Sequence, residues 1–174
     1  NALAALAIGR AVGLSLPAML EALMEFKGLP HRCQYAGELK GVRFYNDSKG
    51  TNVGATIAAI SGFDLSETKV VLIAGGEAKG ADFSPLLPVI KKYCSAVVLL
   101  GESANDLKQL LGDEVNVVMS TGMNEAVEQA KKLAVDGDVV LLSPACASFD
   151  MFDNYQQRGL IFSRAVTDLS GEAG

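Results

Sequence analysis

An α/β protein is predicted, with a mostly parallel sheet covered by helices on both faces and two further helices ahead of it. Three observations predict it. From Thr51 onward, short apolar runs alternate regularly with runs of helical length. The apolar runs are continuous rather than alternating, as in strands buried on both faces of a parallel sheet. Composition agrees: of 174 residues, 49% are hydrophobic and 20% charged, with 18 glycines and no tryptophan. That balance describes a well-packed domain rather than a disordered or fibrous chain.

The elements follow in order. "ALAALAIGRAVGLSLPAMLEALMEFKG" reads as two helices, with Gly13 ending the first and Pro17 opening the second. Their apolar positions run nearly all around, which predicts packing against more than one surface. "GLPHR" breaks the pattern, and a domain boundary is placed near Gly28 to Pro30. Two short strands follow, around Cys33 to Leu39 and Val42 to Asn46, with Lys40-Gly41 as the hairpin turn. Next come a helix in "NVGATIAAISG", a strand in "KVVLIAGG" and a helix in "SPLLPVIKKY", opened by Ser84-Pro85. "SAVVLLG", "VNVVMS" and "DVVLLSP" are strands, while "SANDLKQLLG" and "MNEAVEQAKKLA" are helices. The tail from Met151 to about Leu169 is an amphipathic helix. This order is Rossmann-like.

Several functions are disfavoured at once. A net charge of −5 argues against general nucleic-acid binding, which needs a basic face. Small anions remain eligible, because a few lysines, arginines and backbone amides suffice locally. Cys33, Cys94 and Cys146 are odd in number and widely spaced, as expected of reduced thiols in a cytoplasmic protein. No apolar run reaches transmembrane length, and no secretory signal pattern is present. No metal site is read from the sequence.

Ligands of open parallel sheets bind outside the carboxyl ends of the strands. Four such ends stand out: "FYNDSKGTN", "VLIAGGEAKGADFSP", "VLLGES" and "VLLSPACASFD". Gly75 and Gly76 allow close backbone approach and Lys79 supplies a cation, although a glycine-rich turn with a surface lysine reads the same way. Neither the G-x-G-x-x-G nor the P-loop pattern is present. Ser148 falls near the expected start of the last helix, either as an anion receiver or as an N-cap. Cys146 reads as a small buried thiol, since the sole histidine, His31, is distant in sequence. Arg32 at the boundary suits a phosphate or an interdomain salt bridge. Asp47 suits a ribose hydroxyl pair or a turn cap.

Taken together, "GLPHR", "NDSKGTN", "GGEAKGADFSPL" and "LLSPACASFDMFDNYQQRG" resemble the carboxy-terminal portion of the Mur ligases, in the branch that adds D-glutamate. The resemblance implies three-domain enzymes of peptidoglycan biosynthesis with a P-loop central domain for ATP and Mg2+. It implies ATP-dependent amide formation, in which the carboxylate of UDP-N-acetylmuramoyl-L-alanine is phosphorylated and the amine of D-glutamate displaces phosphate. Residues 1–29 would then end the central domain, and residues 30–174 would form the Rossmann-like carboxy-terminal domain.

By the same resemblance, Asn1 approaches the adenine, Arg32 contacts the nucleotide and Asp47 lies near the ribose. Lys49, His31 and Arg158 are implied as catalytic. Thr51, Lys79 and Ser148 would hold the carboxylates of D-glutamate, with Phe149 and Tyr155 beside them; Tyr155 stands where relatives carry phenylalanine. The sequence contains no P-loop and no magnesium-binding cluster. The expectation is therefore a carboxy-terminal fragment, inactive alone. A folylpolyglutamate synthase-like or other Mur ligase domain, or a non-catalytic Rossmann-like binding module, is the alternative.

Overall fold

The computed structural model describes residues 2–63 and 68–171. Six strands form one sheet: β1 (Gln34–Leu39), β2 (Val42–Asn46), β3 (Val70–Ala74), β4 (Cys94–Leu99), β5 (Val117–Met119) and β6 (Val139–Leu142). The helices are α1 (Ala2–Ala11), α2 (Leu16–Glu25), α3 (Val53–Ser61), α4 (Leu86–Tyr93), α5 (Ala104–Leu111), α6 (Met123–Leu133) and α7 (Tyr155–Gly171). The spatial order of strands is β1-β2-β6-β3-β4-β5. All neighbours are parallel except the β1–β2 hairpin at one edge. Lys40 (φ 51°) and Gly41 (φ 72°) make its turn, both in the left-handed region a two-residue hairpin demands.

Continuous apolarity in the strands has the anticipated cause. Val71, Ile73, Val98, Val140 and Leu142 point to one face, where α6 and α7 cover them with Ala126, Val127, Phe162 and Val166. Val70, Leu72, Val97, Leu99, Val139 and Leu141 point to the other, under Ile60, Leu86, Ile90 and Leu107 of α3, α4 and α5. Every residue of β3 and β6 is buried. Burying each such side chain contributes about 1.5–3 kcal/mol, which fixes the sheet as the rigid element.

The connections matter for the site. From β2 the chain crosses to β3, moves outward through β4 and β5, and returns by α6 to insert β6 between β2 and β3. The carboxyl ends of β2, β6 and β3 therefore lie side by side, with Asn46 and Ile73 both in register with Leu142.

Two expectations change. Among the described residues, α1 and α2 pack against each other, but Gly9 is the only buried residue of α1 and α2 buries none. Leu3, Ile8 and Met24 stay 82%, 67% and 82% exposed. The last helix also starts at Tyr155 rather than Met151. Asn154 caps it, its Oδ1 accepting Gln157 N–H at 2.9 Å, while the Met151 and Phe152 amides turn back onto the Ser148 carbonyl.

At the end of β3, Gly75 adopts φ +117°, and an added β-carbon would collide with the Leu100 carbonyl oxygen. Gly75→Ala is expected to cost about 2–3 kcal/mol from overpacking and backbone strain, lowering Tm by roughly 5–10 °C in a thermal melt.

Candidate functional site

Each of the three adjacent strand ends continues as a loop, and main-chain bonds join the loops to one another. The Gly75 amide donates to the Pro144 carbonyl (2.9 Å), and the Ala145 amide to the Gly50 carbonyl (2.9 Å). Glu77 and Ala147 exchange two backbone bonds, at 3.1 and 3.0 Å, as a one-residue antiparallel bridge. Gly76 must lack a side chain here, because a β-carbon would run into the Ala147 carbonyl oxygen.

Arg158 completes the junction from the first turns of α7. It is 2% exposed. Its Nε donates to Ser48 Oγ (3.0 Å), Nη1 to the Cys146 and Ala147 carbonyls (both 3.2 Å), and Nη2 to the Ser48 (2.8 Å) and Cys146 (3.2 Å) carbonyls. A guanidinium offers five N–H donors, and these bonds account for them all. Burial pushes its pKa down to about 10, against the raising influence of Cys146 and Asp150. Ser48 in turn donates its hydroxyl to the Tyr155 carbonyl at 2.7 Å.

A cavity of about 400 Å3 opens outside this junction. Thr51 and Lys49 line it from the β2 loop, Glu77 and Lys79 from the β3 loop, Ser148 and Phe149 from the β6 loop, and Asn154, Tyr155 and Gln156 from the start of α7. Both lysines lie over rings. Lys49 Nζ is 4.1 Å from the centroid of Tyr155, and Lys79 Nζ is 4.9 Å from that of Phe149. Lys79 has a left-handed backbone, φ 51°, in the glycine-rich turn. Two ammonium groups, three hydroxyls and two side-chain amides, against the one carboxylate of Glu77, suit the cavity to a small polar anion.

Thr51, Lys79, Ser148, Lys49, Phe149 and Tyr155 thus line one cavity. Ser148 does so without capping a helix, since α7 begins seven residues further on. Asn1 lies outside the described residues. Other expected residues sit elsewhere. Arg158 does not line the cavity, and its donors are spent on loop carbonyls and Ser48, so its geometry is that of a positioning residue.

His31 is likewise buried. Its ring packs on α7 where Gly159 leaves room, with Nδ1 3.2 Å from Asn46 Nδ2. Neither lines the cavity, and His31 adjoins its wall through the Tyr155 ring, 6.0 Å between centroids. Asp47 is 7% exposed, and its two oxygens accept from the Cys33 amide (3.2 Å) and Ser143 Oγ (2.7 Å). Burial raises its carboxyl pKa; the Ser143 and Cys33 hydrogen bonds and the Arg32 charge pull the other way. Arg32 itself is exposed.

The fourth strand end, "VLLGES", is scaffold. Glu102 N–H donates to Asp150 Oδ2 at 2.9 Å, and Ser103 Oγ lies 3.2 Å from Cys146 Sγ. Sequence reasoning passed over Glu77, Asn154 and Gln156. The available signals were the place of Glu77 in the Lys79 turn and the polar "NYQQ" that opens α7.

Two outcomes test this geometry. Arg158→Lys, a point charge in place of a fork, leaves loop carbonyls unsatisfied and is expected to cost about 2–4 kcal/mol by denaturant melt, with amide shifts at Ser48, Cys146 and Ala147. Loss of less than about 0.5 kcal/mol would contradict the stapling role. Cys33 lies at the surface, but partial burial of its thiol, and then the Asp47 carboxylate, push its pKa up to about 11. The thiolate forms only as pH approaches that value, so iodoacetamide at pH 8 should label Cys33 roughly ten- to a hundredfold more slowly than free cysteine.

Residues 31–146 match the model of the Mur ligase glutamate ligase domain. UDP-N-acetylmuramoylalanine–D-glutamate ligase of Pseudomonas savastanoi pv. phaseolicola is 57% identical over 171 residues, covering 98% of this chain and 38% of the relative. The corresponding enzyme of Nitrosococcus oceani is 54% identical over 97% of this chain and 37% of its own. Among solved structures, UDP-N-acetylmuramate-alanine ligase of Thermotoga maritima superposes with a TM-score of 0.73 at 19% identity, over 100% of this chain and 37% of that one. The chain therefore spans a little over a third of the length of these relatives. It belongs to the Mur ligase family and carries that family's glutamate ligase domain.

Proposed function

We propose that this chain is the carboxy-terminal portion of an ATP-dependent ligase that joins D-glutamate to UDP-N-acetylmuramoyl-L-alanine, and that the cavity holds D-glutamate. The observation that carries the reading is the meeting of Thr51, Lys79 and Ser148, from three separate strand ends, around one cavity of about 400 Å3. The relatives named as D-glutamate ligases, 57% and 54% identical across nearly the whole chain, support the substrate. Likeness to the Thermotoga alanine ligase, at 19% identity, bears on fold and not on the amino acid chosen.

The roles follow from the chemistry of the side chains. Lys79 neutralises one carboxylate, and the Thr51 and Ser148 hydroxyls donate to carboxylate oxygens. Ser148 is 3% exposed, so its hydroxyl gives a fixed rather than a solvated contact. Lys49, over the Tyr155 ring, supplies positive charge at the side of the cavity nearest the β2 loop, of the sign that stabilises charge developing on an acyl phosphate. Phe149, 63% exposed, is a ring wall that a bound ligand would cover.

Nucleotide contacts are assigned to Arg32, whose guanidinium is accessible beside the β2 loop. Asp47 is read as the residue on the ribose side; its buried carboxylate accepts two hydrogen bonds, one on each oxygen, and each oxygen keeps a lone pair. Among the described residues no three His, Cys, Asp or Glu side chains gather as metal ligands, so no step is assigned to Mg2+ through this chain. Residues 1–29 are read as the end of the nucleotide-binding domain, with the exposed apolar side chains of α1 and α2 as the surface that meets it. Residues 30–174 are read as the domain that delivers the amino acid.

In the intact ligase, Lys79→Ala is expected to raise KM for D-glutamate by about tenfold or more, the value of a charge-assisted hydrogen bond, with KM for the UDP-linked substrate unchanged. Equal losses for both substrates would place Lys79 outside the amino-acid site.

A further inference from the structure

Glu77 is the single carboxylate among the residues lining the cavity. A receiver for an anion gains nothing from an added negative charge unless the guest also carries a cation. The charges of the wall are two ammonium groups, Lys49 and Lys79, and this one carboxylate. An amino dicarboxylate presents the complement: two carboxylates and one ammonium.

Glu77 and Lys79 form only a loose ion pair. Their Nζ–Oε2 separation is 4.0 Å, beyond hydrogen-bond reach, with the two side chains 58% and 36% exposed. Lys79 is drawn instead over Phe149. The Glu77 carboxylate accepts no hydrogen bond from any other described residue, so the loose contact with Lys79 is its one ion pair among them. Its backbone, by contrast, is fixed by the paired bonds to Ala147 at 3.1 and 3.0 Å, which ties the carboxylate to the loop that carries Ser148.

We infer that Glu77 is the specificity residue for the amine: it accepts the ligand's α-ammonium while Lys79 and Lys49 face the carboxylates. This rests on the D-glutamate reading of the cavity and deepens it. Glu77 thereby rejects dicarboxylates that lack an amine, because nothing then offsets its repulsion of their charge. The main chain of Glu77, not its side chain, joins the loops, so Glu77→Gln keeps the fold and removes only the charge.

The test is a titration of this chain, wild type and Glu77→Gln, with D-glutamate and with glutarate, which has the same two carboxylates and no amine. Amide chemical shifts are followed to high millimolar ligand. Wild type is expected to bind D-glutamate about tenfold more tightly than glutarate, the value of one charge-assisted contact in a half-buried site. In Glu77→Gln the preference should collapse to within about twofold, with glutarate binding unchanged or tighter. Equal binding of the two ligands by wild type, or a preference that survives in Glu77→Gln, overturns the assignment while leaving the cavity a dicarboxylate site. Absence of shifts with either ligand overturns the D-glutamate reading itself.

Discussion

A buried guanidinium without a carboxylate partner holds the ligand-facing rim of this protein together. Taking a cation out of water costs several kcal/mol unless its donors are met. Arg158 meets the demand with neutral acceptors, four bonds to carbonyl oxygens and one to a hydroxyl. Its lowered pKa, about 10, reflects the residual desolvation, yet it stays charged at neutral pH. The acceptors belong to the loops after β2 and β6, so the same residue that satisfies itself fixes where those loops stand. Ser48, bonded at once to Arg158 and to the Tyr155 carbonyl, fastens the start of α7 to the same point.

Topology supplies what the staple holds. Because β6 enters between β2 and β3, three loops distant in sequence become neighbours without any long excursion of chain. Beneath them β3 and β6 are fully buried and the loops are cross-bonded, so polar groups facing the cavity start from fixed backbone positions. Preorganisation of this kind spares the binding free energy that ordering mobile loops would otherwise cost. The two lysines rest over the Tyr155 and Phe149 rings, contacts weaker than the one an anion offers.

Much of this could be read from the residues. Continuous apolar strands identified the parallel sheet, and strand-end loops rich in glycine and polar groups identified the rim that carries Thr51, Lys79 and Ser148. Burial could not be read. An arginine or histidine within a polar motif looks catalytic in sequence, whereas Arg158 and His31 are spent on packing and hydrogen bonds inside the fold. "VLLGES" resembles the other strand ends, but β4 lies outside the adjacent β2, β6 and β3, so its loop supports the β3 and β6 loops instead of facing the cavity. Helix formers in "SPACASFDMF" predict an earlier start for α7, but the Ser148 carbonyl takes the Met151 and Phe152 amides for a turn. Glu77 is legible only by its place in the Lys79 turn, since an anion site does not call for a carboxylate.

A crystal structure with D-glutamate bound tests the account most directly. The account predicts ligand carboxylates within hydrogen-bond distance of Thr51, Lys79 and Ser148, with the Arg158 guanidinium still on the Ser48 and Cys146 carbonyls. Density for the ligand outside this cavity, or Arg158 released from those carbonyls to contact the ligand, would contradict it.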